Sequence, residues 1–281
     1  MADLEYREMQ EILRRHDFHF KKKYGQNFLI RPDLLHDIVD GAGVTDEDTV
    51  VEIGPGVGSL TRVLADRAKH VYAIEVDDKL IPILDETMRG YDNVTIINDD
   101  VLKVDLSGIF SEGKVKVVAN LPYYITTPII LGLLEKDFPY DSITVMVQRE
   151  VAERMQAGPG TKDYGALSLA VEYYTDPQIL FLVSPDSFVP QPKVGSAVIS
   201  LKKKDLTEQQ KADAKDIFTV IRAAFNQRRK SMVNALSNAG VLGRSKSEIT
   251  EAVQAAGFES NVRAEVLTLD DFVRLTECLK G

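Results

Sequence analysis

The chain carries a single cysteine, Cys278, among its 281 residues. One thiol can neither close an intrachain disulfide nor build a thiolate metal cluster. This scarcity fits a reducing, cytoplasmic setting and predicts no bound metal. No apolar run comes near the ~20 residues that a membrane-spanning helix needs. Residues 1–15 are charged and mixed, without the apolar centre of a secretory signal. No lysine follows the glycine-rich segment Gly54-Pro-Gly56-Val-Gly58, which excludes a P-loop nucleotide site.

What is present suits a folded protein with a full core and two domains. Hydrophobic residues make up 44% and charged residues 27% of the chain. The net charge of −9 argues at first against a nucleic-acid partner, but the charge is segregated. Residues 37–141 hold 20 acidic and 9 basic side chains, whereas residues 14–31 hold six basic groups and one acid. Residues 222–246 hold six basic groups and no acid, and Lys202-Lys203-Lys204 adds a further cluster. Such runs are either solvated faces or a local basic surface for a polyanion.

Apolar runs alternate with amphipathic stretches between residues 32 and 204. Strands are predicted at 49–54, 70–76, 94–98, 115–119 and 143–148. Helices are predicted at 33–41, 59–68, 79–89, 126–136, 149–156 and 164–174. The strands are nearly continuous in Val and Ile, as in a parallel sheet covered on both faces. Alternating βα units with right-handed crossovers give a doubly wound, Rossmann-like α/β sheet. Segments 178–183 and 196–201 read as an antiparallel hairpin closing that sheet. Beyond residue 204 only helices are predicted, at 207–224, 230–239, 247–257 and 270–279, with Thr207 and Ser247 as N-caps. The expected division is an extension at 1–20, an α/β domain at 21–205 and a small all-α domain at 206–281.

Three features fall at the carboxyl ends of successive strands, where such sheets bind ligands. The glycine loop lets backbone approach a ligand closely. Glu75 ends the second strand, where a carboxylate can accept both hydroxyls of a ribose. Asp99 and Asp100 end the third, where a carboxylate can accept from an adenine amino group. Each also has a plain reading, as a surface acid or an Asx turn; their agreement points to a nucleoside ligand. A fourth feature, Asn120-Leu121-Pro122-Tyr123, follows the fourth strand. It combines an amide with donor and acceptor, a fixed proline turn, a carbonyl and an aromatic face. Together these suit gripping a planar ring that bears an amino group.

The tight glycine spacing resembles the loop of S-adenosylmethionine enzymes rather than that of dinucleotide enzymes. Four segments, Gly25-Gln-Asn-Phe-Leu29, Glu52-Ile-Gly-Pro-Gly56, Asn120-Leu-Pro-Tyr123 and Phe188-Val-Pro-Gln-Pro-Lys-Val194, widen the likeness. In order and spacing they resemble the adenine-N6 dimethyltransferases of ribosomal RNA, most closely the bacterial small-subunit branch. The resemblance runs from about residue 21 to near the C-terminus and includes Phe225-Asn-Gln-Arg-Arg-Lys230. It implies dimethylation of adenosines, two adjacent ones in a small-subunit hairpin loop, with S-adenosylmethionine as cofactor and a role in small-subunit assembly.

By the same resemblance Gln26, Asn27 and Leu29 cover the cofactor, and Gly54 and Gly56 pass under its methionine part. Glu75 holds its ribose, Asp100 and the Val101 backbone read its adenine, and Asn120 touches both cofactor and substrate. Asn120 and Leu121 accept the amino hydrogens of the target base, Pro122 fixes the turn, and Tyr123 and Phe188 sandwich the ring. Lys21, Lys22 and Lys23, with Arg222, Arg228, Arg229 and Lys230, are the expected RNA contacts. The partner is then small-subunit ribosomal RNA in an immature subunit, met by a monomer with no membrane contact. Two related readings share much of this pattern: a large-subunit enzyme of the macrolide-resistance type, and a non-catalytic RNA-binding assembly factor. A small-molecule or protein methyltransferase leaves the basic helical region without a purpose.

Overall fold

A computed structural model describes residues 4–21, 25–110, 115–135 and 139–281. They form two compact units, Met1–Ala152 with Asp176–Lys203, and Glu153–Thr175 with Lys204–Gly281. The linear division at 205 misses that residues 153–175 group with the C-terminal helices.

The first unit is built on a seven-stranded sheet. Its strands are β2 (Thr49–Ile53), β3 (His70–Glu75), β4 (Val94–Asn98), β5 (Val115–Asn120), β6 (Tyr140–Gln148), β7 (Thr175–Val183) and β9 (Ser196–Lys203). They stand in the order β4-β3-β2-β5-β6-β9-β7. Pairing is parallel from β4 through β6 and antiparallel between β6 and β9. Every residue of β2 is buried, as expected of a central parallel strand covered on both faces. Chain order reverses between β2 and β5, and the register Glu52↔Val118 brings the ends of these two strands side by side. The glycine loop and the Asn120 turn therefore leave the sheet at its topological switch point, where a crevice opens.

Helix α2 (Pro32–Gly41) precedes β2, and α3 (Ser59–Ala65), α4 (Ile81–Thr87), the short α5 (Ser107–Phe110) and α6 (Thr126–Glu135) link the parallel strands. Helix α7 (Arg149–Met155) follows β6. Pro32 opens α2 at a position whose N–H has no helical partner.

Residues 4–20 are more than an extension. Helix α1 (Tyr6–Arg15) buries Met9, Ile12 and Leu13, spaced for one helical face. Together with Leu4 they cluster with Phe28, Val57, Leu80 and Ile83. A second unforeseen element is a two-stranded sheet of β1 (Phe28–Leu29) and β8 (Phe188–Val189), in the register Leu29↔Phe188. It pairs two of the four sequence motifs.

The second unit contains α8 (Ala166–Tyr174), α9 (Glu208–Asn226), α10 (Met232–Ala239), α11 (Lys246–Ala255) and α12 (Leu269–Lys280). Thr207 caps α9, accepting from Gln210 N. For α11 the cap is Ser245 rather than Ser247. Ser245 exchanges hydrogen bonds with Glu248 in a capping box, while Ser247 lies inside the first turn. An acid three residues after Ser245 was the available signal.

Candidate functional site

The glycine loop leaves β2 through three left-handed residues, with φ of +71° at Gly54, +62° at Gly56 and +87° at Gly58. A Cβ on Gly56 would stand 3.0 Å from the Phe28 ring, and one on Gly58 would stand 2.6 Å from Met88 Cε. The positive φ favours glycine at all three positions, and the Phe28 ring crowds any side chain at Gly56. The loop lies on a cavity of about 290 Å³ whose wall also includes Glu52, Glu75, Asp100 and Asn120.

Two buried carboxyls face this cavity. Glu75, 5% exposed, accepts from Asp77 N at 2.8 Å with Oε1 and from Gly56 N at 3.3 Å with Oε2. Burial pushes it up to about 7, against the pull of these backbone donors. Glu52, 1% exposed, has an Oε2 with no hydrogen-bond partner among the described residues. Burial pushes it up to about 8; the nearby Thr61 hydroxyl opposes this and the Glu75 charge adds to it. The Thr61 contact falls short of a hydrogen bond, since Thr61 Oγ1 is itself unpartnered. Glu52 was missed as a site residue because an acid inside a strand motif reads as part of the motif.

The N-terminal wall comprises Gln26, Asn27, Phe28 and Leu29. Gln26 Nε2 donates to Asp77 Oδ2 at 3.0 Å, and Gln26 Oε1 accepts from Lys21 N at 3.0 Å. Lys21 Nζ sits 2.6 Å from Asp77 Oδ1. Burial alone raises the Asp77 carboxyl, but Lys21, Lys79 N and Gln26 together hold it below the ordinary carboxylate range. Lys21, expected at RNA phosphate, is thus engaged with a buried acid. Asp77 is another missed residue; its signal was an acid two positions past the strand-end Glu75.

Asn120 ends β5 and donates Nδ2 to Asn27 O at 3.1 Å, which leaves its Oδ1 for another donor. Leu121 N donates to Met146 O at 3.0 Å. The Pro122 carbonyl accepts from Ile125 N and Thr126 Oγ1, at 3.2 and 3.1 Å, so the turn is pinned from both sides. Tyr123 shares a 2.7 Å hydrogen bond with Ser196 Oγ. Burial raises its phenol, and the bond to Ser196 works against that.

Phe188 departs from expectation. It is 2% exposed and packs in the core with Leu29, Leu35 and Val198, because pairing with Leu29 turns it inward. It is absent from the cavity wall, where the aromatics are Phe28, Tyr123 and Tyr124. Asp99, Asp100 and Val101 all line the cavity. Asp100 Oδ1 accepts from Leu102 N at 3.0 Å, Asp100 Oδ2 lies 3.5 Å from Lys103 Nζ, and Asp99 Oδ1 accepts from Asp100 N at 2.7 Å.

In the helical unit Arg222, Arg229 and Lys230 are exposed. Arg228 is instead built in. It donates to the carbonyls of Lys162 at 2.6 Å and Thr161 at 2.9 Å and pairs with Glu265 at 3.1 Å. Lys22 and Lys23 lie outside the described residues.

S-adenosylmethionine fits the residues present. A glycine-rich loop lets the backbone approach its methionine part, the Glu75 carboxylate suits a ribose, and the unpartnered Glu52 oxygen suits a cationic ligand. Among the described residues no group of three or more His, Cys, Asp or Glu could hold a metal ion. No described helix is long and apolar enough to cross a membrane.

Comparison with known proteins agrees with this chemistry. The family model described as ribosomal RNA adenine dimethylase matches residues 17–280. A curated relative from Lachnoclostridium phytofermentans, ribosomal RNA small subunit methyltransferase A, is 52% identical over 96% of this chain and 94% of its own length. A dimethyladenosine transferase from Plasmodium falciparum superposes with a TM-score of 0.73 at 26% identity, covering 88% of this chain and 95% of that one. The 23S rRNA methyltransferase ErmE gives 0.63 at 25% identity, over 90% of this chain and all of that one. On the family match over residues 17–280 and the 52% identity, the chain belongs to the ribosomal RNA adenine dimethylase family.

Proposed function

We propose that this chain dimethylates N6 of adenosines, two adjacent ones, in a hairpin loop of small-subunit ribosomal RNA. Its substrate is an immature small subunit in the cytoplasm, and it works as a monomer. The observation that supports this best is the meeting of Glu75 and Asn120 at one cavity. One residue suits a nucleoside cofactor and the other suits an amino-bearing base.

When bound, S-adenosylmethionine supplies an electrophilic methyl group on its sulfonium. Glu75 accepts the ribose hydroxyls, Gly54 and Gly56 lie under the methionine part, and Gln26, Asn27 and Leu29 cover it. Asp100 and the Val101 backbone read its adenine. An adenine N6 is a weak nucleophile because its lone pair is delocalised into the ring. Asn120 Oδ1, freed by the bond from Nδ2 to Asn27 O, and the Leu121 carbonyl accept the two amino hydrogens. The nitrogen is then held for in-line attack by orientation and electrostatics. Tyr123 stacks on the extruded base. No dedicated base is needed, since the methylated nitrogen loses its proton readily to water. A neutral Asn120 still accepts the one hydrogen left after a first transfer, so a second transfer proceeds at the same site.

Exposed Arg222, Arg229 and Lys230 contact RNA phosphate without reading sequence. The test is to incubate the protein and methyl-labelled cofactor separately with unmodified small subunits, large subunits and naked rRNA, then map dimethyladenosine. Label in small-subunit RNA is expected. Label confined to large subunits would favour the reading that likeness to ErmE suggests, and no label would overturn catalysis.

A further inference from the structure

Asp77 is 1% exposed, charged, and without an assigned task in the chemistry above. A buried carboxylate is costly unless it is paired and fully hydrogen-bonded, and this one is unusually well held. Lys21 Nζ stands 2.6 Å from Oδ1, Gln26 Nε2 donates to Oδ2 at 3.0 Å, and Lys79 N donates to Oδ1 at 3.2 Å. Its own backbone N–H donates to Glu75 Oε1 at 2.8 Å.

These contacts reach two walls of the same cavity. On one side Asp77 N fixes one Glu75 oxygen while Gly56 N holds the other, which sets the plane of the carboxylate. On the other side the Asp77 carboxylate holds Gln26, whose Oε1 is in turn held by Lys21 N. We infer that Asp77 is a positioning residue that, with Lys21 as its counter-ion, builds the ribose-facing and N-terminal walls of the cofactor cavity together. Asp77 would not touch the reacting atoms. Its effect falls on cofactor affinity, because it fastens residues of distant sequence that must face one ligand. The first lysine of the run at 21–23 then serves the cofactor site.

The inference rests on the cofactor named in the proposed function, and its test separates the two. Binding of S-adenosylmethionine and S-adenosylhomocysteine, without RNA, is measured by titration calorimetry for wild type, Asp77→Asn, Lys21→Met, Lys21→Arg and the Asp77→Asn/Lys21→Met pair. Each of Asp77→Asn and Lys21→Met should weaken both ligands about tenfold, equivalent to ~1.4 kcal/mol. The pair should be no weaker than the worse single variant, and Lys21→Arg should bind nearly as wild type. In turnover with Asp77→Asn, the cofactor KM should rise more than kcat falls. Should Asp77→Asn not fold, the Lys21 variants still decide. Unchanged affinity, strictly additive losses, or a fall in kcat at constant cofactor KM would each overturn the inference. Wild type that binds neither ligand would overturn the functional reading itself.

Discussion

Gly56 donates its backbone N–H to Glu75 Oε2 across 3.3 Å, so the loop after β2 and the acid ending β3 are one construction. The bond holds a buried carboxylate at the cavity wall before any ligand arrives. It also ties the glycine loop to the Glu75 carboxylate at Gly56. Preorganisation of this kind reduces the ordering cost of binding.

Glu52 offers a test by pH. Its carboxyl is pushed from 4.5 up to about 8 by burial. A group that keeps its proton longer in the folded state contributes stability that is fully present below about pH 4.5. That contribution is lost as pH rises through about 8. At ~1.4 kcal/mol per unit the loss is on the order of a few kcal/mol. Glu52→Gln is neutral at every pH. Ligand-free variant and wild type should therefore melt at similar temperatures near pH 5, and the variant should melt higher near pH 9. Thermal scans at both values check this; a constant difference between the two proteins would refute it.

Gly58→Ala separates conformation from crowding. The added Cβ would meet the mobile end of Met88 at 2.6 Å, a contact that a rotamer change can relieve. The φ of +87° cannot be relieved so easily, and costs of order 1–3 kcal/mol. Urea unfolding should show a loss of about 1 kcal/mol or more that Met88→Ala does not restore. Full restoration would mean that crowding, and not backbone strain, dominates.

Arg228 and Arg229 are neighbours with opposite expected phenotypes. Arg228 ties the Thr161 and Lys162 carbonyls to Glu265, so Arg228→Glu removes these bonds and sets like charges together. Denaturation should report a loss of about 1 kcal/mol. Arg229 is exposed. Arg229→Glu should leave stability within ~0.5 kcal/mol but weaken rRNA binding and lower its salt slope by about 1. Filter binding across a salt series measures both terms. Equal melting losses in the two variants would contradict the distinction.

The same pair shows where sequence reading ran out. Adjacent arginines are identical as letters, and only tertiary partners tell a structural one from a free one. Strands β2 to β6 were legible because the strands of a covered parallel sheet are rich in Val and Ile. The motifs at Gly54, Glu75 and Asn120 were legible because each stands at the carboxyl end of a strand, where such sheets bind ligands. Phe188 was misread because its burial depends on a two-residue pairing with Leu29, too short to leave a periodic trace. Helix α1 had the helical spacing of Met9, Ile12 and Leu13, but its charged residues masked it. The role of Asp77 was not legible because its partners Lys21 and Gln26 lie more than fifty positions away.

Asn120 and Tyr123 divide the turn after β5 into a polar and an aromatic half, and each half has its own expected signature under the proposed function. On the proposed function, Asn120→Ala removes the acceptor for the substrate amine, and with it the donor that holds Asn27 O. Loss of one preorganised group of this type typically lowers kcat about 10²–10³-fold, so methyl transfer should fall that far while cofactor affinity changes much less. Tyr123→Phe loses only the 2.7 Å bond to Ser196 and keeps the ring. Tyr123→Ala loses the stacking surface, worth ~1–3 kcal/mol per base. Single-turnover assays with excess cofactor should therefore rank wild type and Tyr123→Phe close together, Tyr123→Ala well below, and Asn120→Ala lowest. Mapping the products adds a second criterion. Wild type should pass through monomethyladenosine to dimethyladenosine, because a neutral acceptor at Asn120 still engages the single remaining hydrogen. Products that stop at one methyl would show that the turn cannot hold the amine twice.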